Sequence, residues 1–70
     1  MTQFNYSALY GRMREKNMSQ EAVATASNMS LSQLSAKLKG RYPFKQTDIQ
    51  GIAKALDIPP VDIGRYFFTV

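Results

Sequence analysis

The stretch SQEAVATASNMSLSQLSAKLKG, Ser19 to Gly40, contains two short helical patterns joined by three or four turn residues. In the first, the Ser19 hydroxyl can accept from the exposed amides of the opening turn, Glu21 suits the positive end of the helix dipole, and Val23 and Ala24 form the apolar pair. This helix is expected to run to about Ala26. SNMS then breaks the pattern, because Asn28 tolerates the left-handed conformation that closes a helix. In the second, Ser30 is the cap, Met29 the hydrophobic contact ahead of it, Leu34 and Leu38 the buried pair at i and i+4, and Gly40 the stop just past Lys39.

Working outward, Asn5 or Ser7 can cap an earlier helix reaching about Lys16. Its inward face would be Tyr6, Leu9, Tyr10 and Met13, with Arg12, Glu15 and Lys16 outside. After Gly40, RYPFK reads as a loop, since Pro43 steers Tyr42 away from helical angles, and Phe44 is expected to anchor it in the core. Thr47 is the expected cap of a fourth helix from Asp48 to about Asp57, with Ile49, Ile52, Ala53 and Leu56 on one stripe. Gly51 inside it costs about 1 kcal/mol unless close packing requires it. IPP ends that helix, and Pro60 suits the first position of a short fifth one reaching Arg65 or Tyr66. The expected fold is all-α: a compact five-helix domain spanning residues 1–70, with a helix-turn-helix at about 19–40.

The chain has 70 residues, near the lower size limit for a self-sufficient core, so each buried apolar residue counts. It has no cysteine and no histidine, which removes disulfides, thiolate nucleophiles and nearly every zinc arrangement. Its five carboxylates, Glu15, Glu21, Asp48, Asp57 and Asp62, form no close motif, and no glycine-rich phosphate loop is present. An enzyme is therefore not expected, and neither is a cofactor or metal. MTQFNYSALY lacks the pattern of a secretory signal and no apolar run approaches the ~18 residues of a membrane span, so the chain is expected to be soluble and cytoplasmic, away from membranes.

Nine Lys and Arg against five Asp and Glu give a formal net charge of +4, and no acid occurs from Ala22 to Thr47. A one-signed patch on so small a body attracts polyanions, nucleic acid first.

The order of residues in SQEAVATASNMSLSQLSAKLKG, from Gln20 behind the cap through small Ala24, the turn residue Asn28 and the plug Met29 to Leu34 and Leu38, resembles the phage-repressor, Cro-like helix-turn-helix family, also called the XRE type. The resemblance covers roughly residues 6 to 66 and implies a lambda-repressor-like fold. The closing GRYPFKQTDIQGIAKALDIPPVDIGRYFF resembles small phage-encoded regulators of Gram-positive hosts. The family implies that the third helix enters the DNA major groove, and its short outer residues suit that approach. Leu31, Ser32, Gln33, Ser35 and Ala36 are then the expected base contacts: Gln33 can bond adenine through two hydrogen bonds, the serines can bond bases or phosphate, and Leu31 or Ala36 can rest on a thymine methyl. Phosphate contacts are expected from Gln20, Ser30, Lys37, Lys39, Arg41 and Lys45.

Where many family members carry a glutamate paired with an arginine of the first helix, this chain has Leu38, expected to pack near Met13. The expected activity is sequence-specific, noncatalytic transcriptional regulation, as a Cro-like repressor bound to double-stranded operator DNA, with homodimers reading symmetric sites. The rival expectation is an antirepressor, which resembles such domains but binds the main phage repressor protein and blocks its DNA surface. Leu31 with Tyr66, Phe67 and Phe68 is the candidate partner surface for that role or for dimerisation. Alternatively, the tail packs back on the first helix, where Phe4 and Tyr6 could receive it.

Overall fold

Local capping chemistry sets where the helices begin and end. A computed structural model of the chain describes residues 4–70; Met1 to Gln3, the start of MTQFNYSALY, lie outside the described residues. The helices are α1 (Ser7–Glu15), α2 (Gln20–Ala26), α3 (Leu31–Leu38), α4 (Gln46–Ala55) and α5 (Ile63–Phe67), with a 3-10 turn at Pro60–Asp62 leading into α5. There is no strand among the described residues.

Four helices stop in the same way. Asn17, Asn28, Gly40 and Asp57 take left-handed φ angles of 55°, 61°, 83° and 53° just past α1 to α4. In each case the next amide donates back into the last turn: Met18 to the Met13 carbonyl, Met29 to Ala24, Arg41 to Ala36 and Ile58 to Ala53, at 2.8–3.0 Å. This bond satisfies a carbonyl that the helix end would leave open. It also turns Met18, Met29 and Ile58 back onto the core.

The core is built from Leu9 and Met13 of α1, Val23 and Ala24 of α2, Leu34 and Leu38 of α3, Ile52 and Ala53 of α4, and then Leu56, Ile58, Tyr66 and Phe67. Met13 and Leu38, expected to pack near each other, are both buried members of this one cluster. The radius of gyration is 10.9 Å, against about 11 Å for a fully folded domain of this length. Gly51 lets α4 approach the end of α2: a Cβ there would lie 3.3 Å from both Cα and Cβ of Ser27. At the same crossing the Ser27 hydroxyl is buried with no hydrogen-bond partner. Ser27→Ala removes that unmet group, and unfolding in urea should show a gain of about 1 kcal/mol.

Several expectations change. Thr47 does not cap α4, which starts two residues earlier than expected, at Gln46; Lys45 holds the cap position, and the Asp48 carboxylate reaches back to accept from the Lys45 amide at 2.9 Å. At α1 the Asn5 side chain does accept from the Ser7 amide at 2.8 Å. Tyr10 is exposed rather than inward. Arg12, expected outside, is half-buried because its guanidinium donates to the Leu56 and Asp57 carbonyls, each at 2.9 Å, and so ties α1 to the negative end of α4.

The C-terminal tail packs back on the N-terminal side of the molecule. The Asn5 amide donates to the Thr69 carbonyl at 2.6 Å. Phe4 meets Phe68 edge-on with ring centres 5.6 Å apart. Tyr6, Phe44 and Phe67 form a chain of edge-on contacts at 5.3 and 5.4 Å. Tyr66 and Phe67 are therefore core residues and cannot form a partner surface; of that trio only Phe68 remains exposed.

Candidate nucleic-acid interface

α2 and α3 pack on each other through the turn 27–30, in a helix-turn-helix arrangement. Ser30 begins α3 with a reciprocal pair: its hydroxyl accepts from the Gln33 amide at 3.1 Å, and the Gln33 side-chain oxygen accepts from the Ser30 amide at 3.0 Å. Leu34 and Leu38 fix the inner face. The outer face leads with Leu31, 46% exposed, and with Ser32 and Gln33, both exposed, while Ser35 and Ala36 are half-buried behind them.

A depression of about 490 Å³ runs beside this face. Ser32, Gln33, Ala36 and Lys37 form one wall, and Tyr42, Pro43 and Lys45 the other. Five residues expected from the sequence, Ser32, Gln33, Ala36, Lys37 and Lys45, thus meet in one place. Gln20 does not join them; it lines a separate depression with Tyr10 and Arg14. Arg41 lines the neighbouring aromatic depression and not the one beside α3. Lys39 is exposed at the end of α3. Tyr42, 64% exposed, and Pro43 were not among the expected site residues. Their signal was the X-Pro pair directly after a helix stop, which holds the preceding side chain in an extended segment.

Lys37 departs most from expectation. Its ammonium is paired with the Asp48 carboxylate, with the Met29 sulfur 4.0 Å away. The two charged side chains are only 12% and 11% exposed. Lys37 therefore joins α3 to the start of α4, and its charge is already met from within, so it is not the phosphate contact expected of it. Burial alone would raise the Asp48 pKa, but the Lys37 and Lys45 hydrogen bonds and both positive charges outweigh it and hold the carboxyl below its ordinary value.

Among the described residues no group of three or more His, Cys, Asp or Glu could hold a metal ion. Among them, too, no helix is long and apolar enough to cross a membrane.

Fold and surface together define a small all-helical domain of helix-turn-helix arrangement, presenting one face of α3 beside a basic loop. The chain belongs to the family described as protein of unknown function DUF739, whose model matches residues 1–70. No curated protein matches it.

Proposed function

We propose that this chain is a sequence-specific, noncatalytic DNA-binding transcriptional regulator of the Cro-like, XRE type, with α3 entering the major groove. The observation that carries this reading is the division of α3: Leu34 and Leu38 are buried, while the leading outer residues Leu31, Ser32 and Gln33 are exposed and mostly short. A helix with such a face can bring its backbone close to base edges. The depression beside it ends on Lys45, where a phosphate strand flanking the groove would run. The mechanism is occupancy: a bound domain excludes polymerase or a competing repressor from the operator.

Gln33 has two roles in this reading. Its amide oxygen holds the helix cap, which leaves its amide nitrogen and the oxygen's second lone pair for adenine. The test is selection of binding sites from a pool of randomised duplexes. The wild type should enrich one short motif, and Gln33→Ala should lose about 1–3 kcal/mol of preference at one base pair while keeping its affinity for random duplex. An equal loss on random duplex would overturn the assignment of Gln33 as a base reader.

A second reading is favoured by the exposure of Leu31: the same face binds another repressor protein, as an antirepressor would. Salt separates the two. Affinity for DNA should fall steeply as salt rises, whereas an apolar protein contact should not.

A further inference from the structure

Beyond the Tyr42–Pro43 loop lies a second surface that the DNA reading leaves unused. Phe4, Phe44, Ile49 and Phe68 line a depression of about 300 Å³ whose wall on the α3 side is Tyr42 and Pro43. Phe44, Ile49 and Phe68 also line the next depression, together with Ile63 of α5, so the two form one continuous apolar surface. Phe68 is 53% exposed on it. Apolar area left uncovered and rimmed by the polar side chains of Arg41, Gln46 and Gln50 offers a partner a place to bury a side chain. At about 300 Å³ the first depression is at the small end for a ligand pocket and suits an inserted side chain better than a cofactor.

Charge selects the occupant. Arg41 lines the first depression, and among the described residues no carboxylate lines either one. The nearest acid along the chain, Asp48, is taken by Lys37. A second copy of this chain would bring an identical patch, Arg41 included, with no acid to meet it, and a twofold contact needs a self-complementary surface. Phe4, Tyr6, Phe44, Phe67 and Phe68 are paired edge-on at 5.3–5.6 Å, and among the described residues Arg41 is the one cation lining the groove, short of the positively charged track along which a single strand's backbone runs. We propose that this groove docks an acidic segment of a partner protein, which inserts an apolar side chain beside Phe44 and Phe68 and sets a carboxylate against Arg41.

The probe is a displayed library of random 12-residue peptides, selected against the whole chain and re-screened against variants. Enriched peptides should pair a large apolar residue with Asp or Glu. As synthetic labelled peptides measured by anisotropy, they should bind at least tenfold more weakly to Phe68→Ala and severalfold more weakly to Arg41→Gln. Lys54→Gln, a change at an exposed residue that lines neither depression, should leave their binding unchanged. Circular dichroism of each variant separates a lost contact from a lost fold. Each of these results overturns the proposal: no enrichment, enrichment without acidic residues, full binding to Phe68→Ala, or a homodimer of the wild type that Phe68→Ala dissociates. Binding of a labelled oligothymidine that Phe68→Ala abolishes would likewise assign the groove to nucleic acid and overturn it.

Discussion

Replacing Asp48 with alanine should lower the stability of the fold by about 3 kcal/mol, because a shielded Lys37 ammonium loses its partner and the Lys45 amide loses its acceptor. For a domain of this size that is a fall of roughly 12–24 °C in the melting midpoint. Asp48→Asn should cost less, since an amide oxygen can still accept from the Lys45 amide. The pH dependence has a definite sign. Since folding lowers the Asp48 pKa, the pair contributes stability that is fully present above the unfolded value, about 4, and is lost as pH falls through the folded value. Urea unfolding of wild type and Asp48→Asn should therefore differ most at neutral pH and converge in acid. A difference that persisted unchanged at low pH would remove the charge pair as the source of the effect.

The second large effect concerns DNA. Lys39→Gln combined with Lys45→Gln should reduce the slope of log affinity against log salt by about 1.8, two phosphates' worth. Between about 50 and 200 mM salt this makes the fall in affinity about tenfold smaller than for the wild type. Lys37→Met combined with Asp48→Asn, at a temperature where the chain remains folded, should leave the slope unchanged, since the two charges it removes cancel. Equal slopes for the wild type and the Lys39–Lys45 variant would count against a phosphate role for these lysines, and a changed slope in the Lys37–Asp48 variant would mean that the ion pair opens on binding.

What could be read from the sequence was mostly local. Ser19, Asn28, Ser30 and Gly40 act within a few residues of themselves, and the structure has each in its expected capping or stopping role. The spacing of Leu34 and Leu38 was equally legible, because a helical period needs no knowledge of what covers it. The start of α4 was not. Its cap residue is a lysine, and the cap is supplied by a carboxylate three positions later, which also reaches across 11 residues to Lys37. Pairings of that kind depend on how helices cross. The same limit explains Arg12, whose periodicity says outside while its length lets the guanidinium reach the end of α4. For Tyr66 and Phe67 the sequence left a partner surface and packing on the first helix both open, and the crossing of α1 with α5 decides for burial. At the candidate site, Leu31, Ser32 and Gln33 followed from being opposite the leucines, whereas the second wall, Tyr42 and Pro43, depends on where the loop returns.

Because α3 is secured by its Ser30 cap, its two leucines, the Lys37–Asp48 pair and the Gly40 stop, its outer positions contribute little to holding the molecule together. Substitutions at 31 and 32, and at 35 and 36 by side chains of similar size, should cost less stability than changes at Leu34 or Leu38. Such a domain can acquire a new target over evolutionary time without first acquiring a new stabilising mutation. Gln33 is the exception. Its amide oxygen is part of the cap, so a lineage that changes what this position recognises also changes how firmly the helix begins.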